Sequence, residues 1–111
     1  MNITITERDG VNVVAPDGRL VAACSEQLRE QVTAALENTP NVLFDLAKMS
    51  HIDSSGLGVL VQLLQRATQK GGMVKLACLQ PHPRIVFDIT KVCRVFEIFD
   101  TVDAGLASFK A

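Results

Sequence analysis

The 111-residue chain is 48% hydrophobic and 21% charged, a balance that suits one globular domain, read here as residues 1–111, and excludes a disordered one. Its formal net charge of -1, with 11 Lys or Arg against 12 Asp or Glu and no basic run, leaves no electrostatic footprint for nucleic acid or an anionic membrane. No repeat or low-complexity segment interrupts it.

The opening Met1-Asn2-Ile3-Thr4-Ile5-Thr6 alternates like a strand and lacks the basic start and apolar core of a signal peptide. Apolar stretches fall far short of the roughly 20 residues that cross a bilayer. Cys24, Cys78 and Cys93 are odd in number and widely spaced, with no Cys-x-x-Cys pair and no His at ligand spacing, so they read as reduced, mostly buried thiols. The expectation is a cytoplasmic protein without metal or cofactor.

Ile3 and Ile5, then Val11, Val13 and Val14, flank an Asp9-Gly10 turn, the pattern of an antiparallel hairpin. Pro16-Asp17-Gly18 is expected to end the second strand. Ser25-Glu26 then offers a cap and a first-turn acid for a helix that carries Leu28, Val32, Ala35 and Leu36 on one face. Asn38-Thr39-Pro40 breaks that helix, and residues 41–46 form a third strand, parallel to a neighbour because a helical crossover precedes it.

A second helix is predicted from Leu57 to about Gln69, with Leu57, Leu60, Val61, Leu64 and Ala67 on one stripe and Lys70-Gly71-Gly72 at its end. Residues 73–79 read as the fourth strand. Pro81 and Pro83 interrupt the chain before a short helix around Ile85, Val86, Phe87 and Ile89; residues 95–99 extend briefly and 101–110 form a last helix. Alternating strands and helices define an α/β fold, with a mixed four- to five-stranded sheet covered by about four helices.

Between the third strand and the second helix stands His51-Ile52-Asp53-Ser54-Ser55-Gly56-Leu57-Gly58. Asp, Ser and Ser are all types that cap helices by accepting hydrogen bonds from free amides. A helix start also tolerates a phosphate, because unpaired amides and the positive end of the helix dipole face it. Local chemistry leaves both roles open. Gly56 and Gly58 each cost about 1 kcal/mol relative to Ala within a helix, which points to close approach of a partner or a neighbouring loop. Val59 and Leu63 lie off the main stripe and with Leu57 could form an exposed apolar strip beside Ser54. His51 and His82 are each lone, and Asp-Ser-Ser-Gly is not the Gly-x-Ser-x-Gly elbow of a serine hydrolase, so no catalytic residue is assigned.

The motif Asp53-Ser54-Ser55-Gly56-Leu57-Gly58 after an apolar strand, with Phe87-Asp88-Ile89-Thr90 some thirty residues later, resembles the STAS domain of bacterial anti-sigma factor antagonists over nearly the whole chain. The resemblance implies that Ser54, with Ser55 as the alternative, is phosphorylated by a serine kinase of the histidine-kinase-like ATPase fold that doubles as the anti-sigma factor. It implies that the unphosphorylated form binds this kinase and frees its client, that phosphorylation breaks the complex, and that a metal-dependent phosphatase resets it. The docking surface would comprise residues Asp53, Ser54, Ser55, Gly56, Leu57, Gly58, Val59 and Leu63 of a monomer. Two positions depart from the family: Gly18-Arg19-Leu20-Val21 stands where it reads roughly Gly-Glu-Leu-Asp, and Lys91 where it often has glycine. The alternative is a STAS module serving as a fixed assembly or ligand-binding subunit, with Ser54 only a cap.

Overall fold

The Asp9-Gly10 turn forms in the computed structural model, which describes residues 1–110. Both turn residues have positive φ, 53° and 78°, the twist that closes a two-residue hairpin. It joins β1 (Asn2–Arg8) to β2 (Val11–Leu20) in antiparallel register from Asn2↔Asp17 to Arg8↔Val11. β2 does not stop at Pro16-Asp17-Gly18 as expected. Its parallel pairing with β3 (Val42–Asp45) ends at Val14, and pairing with β4 (Met49–Ile52) begins at Gly18. Pro16 therefore sits where neither parallel neighbour requires an amide. The register shifts between Gly18 and Arg19, with Gly18 at φ 118°, so the strand bends at a bulge and continues.

β4 is the one strand without a counterpart in the sequence analysis. Only its two ends, Met49 and Ile52, are buried, which leaves too short a pattern to read as a strand. With β5 (Val74–Ala77) and β6 (Ile98–Phe99) it makes six strands rather than four or five, in the order β1-β2-β3-β5-β6 with β4 beside the outer half of β2. The helices are α1 (Ala22–Ala35), α2 (Ser54–Gln69), α3 (Pro81–Ile89) and α4 (Val102–Ser108), with a 3-10 turn at Val92–Arg94. Pro81 and Pro83 do not precede α3 but occupy its first turn, where a missing amide costs no intrahelical bond.

Strand alternation divides the core. Val14, Val42, Phe44 and Leu76 pack with Leu28, Val32 and Leu36 of α1, with Leu57, Leu60 and Leu63 of α2, and with Phe87 of α3. Val11, Val13, Leu43 and Ala77 face the other way and pack with Leu106 of α4. The first layer is the larger, so α1, α2 and the central strands carry most of the apolar burial. Ala35 and the expected stripe residues Val61 and Leu64 are only half-buried.

Three polar features complete the frame. Buried Asn12 donates through its side chain to the carbonyls of Ala35 (2.9 Å) and Thr39 (3.0 Å), closing the C-terminus of α1 onto β2. Lys75 is buried within β5, its Nζ 3.0 Å from Ser108 Oγ, 3.7 Å from Glu97 Oε1 and 4.7 Å from the centre of the Phe109 ring. Lys91, where the resemblance favours glycine, lies in the left-handed region at φ 65°. That conformation costs a non-glycine residue about 1–2 kcal/mol.

Because Asn12 is buried and serves both carbonyls, the one on Ala35 together with the Asn38 amide, Asn12→Ala should destabilise the domain by about 1–3 kcal/mol. The chain has no Trp and no Tyr, so urea unfolding followed by far-UV circular dichroism is the suitable measurement, with an unchanged slope and a lower midpoint expected.

Candidate functional site

The site is built where the ends of two parallel strands deliver two helix starts side by side. Leu20 of β2 pairs with Ile52 of β4, and the Asp53 amide donates to the Leu20 carbonyl at 3.2 Å. Asp53 is the N-cap of α2: its Oδ1 accepts from the Gly56 amide at 3.0 Å. Its second oxygen, Oδ2, accepts from the Ala22 amide at 3.2 Å, at the first residue of α1. One carboxylate thus serves free amides of two helices, a charge-assisted arrangement at the positive ends of both.

This carboxylate explains two departures from the sequence reading. Ser25-Glu26 does not cap α1. The helix starts four residues earlier, its N-cap Val21 makes no side-chain hydrogen bond, and Ser25 is buried with its hydroxyl donating to the Val21 carbonyl at 3.0 Å. α2 likewise starts at Ser54 rather than Leu57, and of the three capping types that the sequence offers Asp53 is the one that caps it. Both serines are exposed in the first turn.

The two glycines separate. A Cβ on Gly56 would lie 2.6 Å from the Leu20 carbonyl oxygen and 2.8 Å from Ile52 Cγ1, so the ends of β2 and β4, rather than a partner or a loop, are what approach the backbone there. A Cβ on Gly58 would meet nothing within 4 Å, and Gly58 is exposed. The expected apolar strip beside Ser54 does not form. Leu57, Val59 and Leu63 are 5%, 7% and 0% exposed, since the buried face of α2 is wide enough to include them. Apolar exposure instead falls on Ile85 (54%) and Ile89 (74%) of α3, on Val95 and on Met73. Of the eight motif residues proposed for docking, Ser54, Ser55 and Gly58 are exposed and Asp53 is half-buried; the other four contribute packing.

His51 and His82, lone in the sequence, are neighbours in space, with ring centres 6.0 Å apart and planes 29° from parallel. Nothing in the local sequence signals this, because the two residues come from β4 and α3. His51 also pairs across the sheet with Arg19, and its Nδ1 lies 3.0 Å from Ser50 Oγ. Among the described residues no group of three or more His, Cys, Asp or Glu could hold a metal ion. The three cysteines are free and half-buried rather than mostly buried. Burial pushes the Cys78 thiol up, the nearby Asp45 carboxylate adding to the effect, which disfavours the reactive thiolate.

A family model for the STAS domain matches residues 2–105, and the chain belongs to that family. A Bordetella bronchiseptica protein assigned as an anti-sigma factor antagonist, BtrV, is 30% identical over 99% of this chain and 96% of its own length. The anti-sigma-B factor antagonist of Bacillus subtilis is 27% identical over 96% of this chain and 99% of its own. The crystal structure of a Thermotoga maritima protein assigned to the same class superposes with a TM-score of 0.92 at 21% identity, covering 98% of this chain and 95% of the other. The family and its mixed α/β architecture are those the motif implied, and its members of this type are regulators, not enzymes. No helix among the described residues is long and apolar enough to cross a membrane.

The glycine geometry makes a paired expectation. Gly56→Ala must displace the Leu20 carbonyl or the end of β2 that carries it, and should cost about 1–3 kcal/mol. Gly58→Ala adds a methyl in open space and should stabilise by up to about 1 kcal/mol. Thermal melts of the two variants by circular dichroism should shift in opposite directions.

Proposed function

We propose that this protein is a phosphorylation-controlled anti-sigma factor antagonist in a bacterial partner-switching pathway. Unphosphorylated, it binds a serine kinase of the histidine-kinase-like ATPase fold that doubles as the anti-sigma factor, and so releases that protein's client. Phosphate transfer to Ser54 breaks the complex, and a metal-dependent serine phosphatase restores it. The kinase brings ATP and Mg²⁺; this chain supplies the acceptor hydroxyl and the docking surface. It acts as a monomer in the cytoplasm and has no catalytic group of its own.

The observation that carries this reading is the division of labour at the start of α2. Asp53 fills the capping role, so the exposed Ser54 hydroxyl is left free to accept a phosphate. A fixed module in which Ser54 serves only as a cap gives that hydroxyl a task that Asp53 already performs. A phosphate there adds about -1.5 to -2 charge next to the Asp53 carboxylate, while the free amides and dipole of α2 tolerate it. The switch then acts by changing the charge of a preformed surface rather than by refolding it. Ser55, exposed one residue later, is the alternative acceptor.

Incubation with ATP and each histidine-kinase-like serine kinase of the same genome, followed by phosphopeptide mass spectrometry, tests the assignment. Modification confined to Ser54 and absent from Ser54→Ala is the expected result. With the modifying kinase in hand, Ser54→Asp should weaken its binding by about tenfold or more and Ser54→Ala should retain it. Absence of modification by every candidate, in folded protein, would favour the fixed-module reading.

A further inference from the structure

The chain has 7 glycines, and all but one have a reason inside the fold. Three hold the backbone at positive φ, and three others let a neighbour come closer than a Cβ would permit. Gly58 does neither. A Cβ there would meet nothing within 4 Å, and the residue is exposed. It stands inside α2, past the first turn, where glycine is a poor helix former beside Ala. A local rule broken with no compensating contact in the molecule marks a constraint imposed from outside it.

The position of Gly58 shows which constraint. Ser54 and Ser55 precede it by four and three residues, so the three share one face of α2, with Ser54 about 6 Å from Gly58 along the axis. Helical side chains lean toward the N-terminus and cover the turn before their own Cα. A side chain at position 58 would therefore lie over Ser54 and Ser55, and glycine leaves both hydroxyls uncovered. The phosphate itself does not need this room, because on Ser54 it projects the other way, off the N-terminal end of the helix.

We propose that Gly58 is a specificity-determining contact for the kinase: the rim of its nucleotide cleft closes against the α2 main chain at Gly58 when Ser54 is presented. The inference rests on the phosphoswitch reading of Ser54 and deepens it by stating where the partner must touch. Phosphate transfer requires the Ser54 oxygen to come within about 3–3.5 Å of the phosphorus it attacks. A serine side chain is short, so its hydroxyl reaches a nucleotide held in a cleft only if the walls of that cleft settle around the helix itself. The wall that passes one turn behind Ser54 meets Gly58, where the missing Cβ lets it reach the main chain. Stability and recognition are thereby opposed at this residue: a side chain at position 58 strengthens the free helix and obstructs the complex.

The test is steady-state phosphorylation of the full chain by the kinase that modifies Ser54, beside thermal melts of the same variants. Gly58→Ala should raise KM about threefold and Gly58→Gln about thirtyfold or more, each with kcat within about threefold of wild type, the signature of a lost contact rather than an altered chemical step. Both variants should melt no lower than wild type, since Ala and Gln are better helix formers than glycine. Thr68→Gln is the control. It adds bulk at another exposed position of α2, about 21 Å past Ser54 along the axis, and should leave KM at the wild-type value.

An unchanged KM for Gly58→Gln, with Ser54 still phosphorylated, would overturn the contact and leave the phosphoswitch standing. A lower melting temperature for Gly58→Ala would overturn it as well, because the glycine would then serve the fold. If no kinase modifies Ser54 in the wild-type protein, the phosphoswitch fails and the contact fails with it.

Discussion

The Asp53 carboxylate is the contact on which the site depends. It ties the first amide of α1 to the first turn of α2 across 31 positions of sequence. Charge-assisted bonds of this kind, made by an ionised acceptor to backbone donors, are about twice as strong as neutral ones. They operate here where two helix dipoles present positive ends together. Gly56 makes the arrangement possible by letting the Leu20 carbonyl come within a distance that no side chain would permit. The same carbonyl accepts the Asp53 amide, so the cap, the glycine and the strand end form one unit.

That unit rests on the bulged course of β2. A straight strand ending at Pro16 would leave Arg19 and Leu20 in a loop. The bulge at Gly18 carries the chain on to pair with β4, and it is this second pairing that sets Leu20 against Ile52 and brings α1 to the foot of α2. The larger apolar layer then fixes both helices, through Leu28 and Val32 on one and Leu60 and Leu63 on the other. A rigid scaffold under an exposed first turn is what a switch by charge requires, since a added phosphate is read by a partner only if the surface around it keeps its shape.

The charge distribution has a related logic. On the side of β1 and α4 the exposed cations are spent on local pairs, such as Arg8 with Asp103 and Lys110 with Asp9, each contributing little at the surface. Among the described residues, Arg19 and Lys48, on β2 and just before β4, stand without such pairs. Val21 belongs to the same pattern: where the resemblance expects an acid it offers none, and the amide of the next residue is served by Asp53 instead.

The hairpin, the amphipathic α1 and α2, the parallel β3 and the Asp53 motif were legible in the sequence because each is encoded by residues close together: a turn pair, a 3.6-residue stripe, a short apolar run, a capping acid. β4 was not, because four residues with only their ends buried carry no period, and a strand of that length exists only through its neighbour. The cap of α1 was misplaced to Ser25 because its acceptor lies 31 residues away, and the width of the α2 face was underestimated because burial of Val59 and Leu63 depends on what packs against the helix. The pairing of His51 with His82 has the same origin. The sequence by itself determined the alternation of elements, the family and the serine at a helix start; the tertiary structure decided which oxygen caps which helix and which side chains face outward, because those outcomes depend on contacts between segments that local patterns do not join.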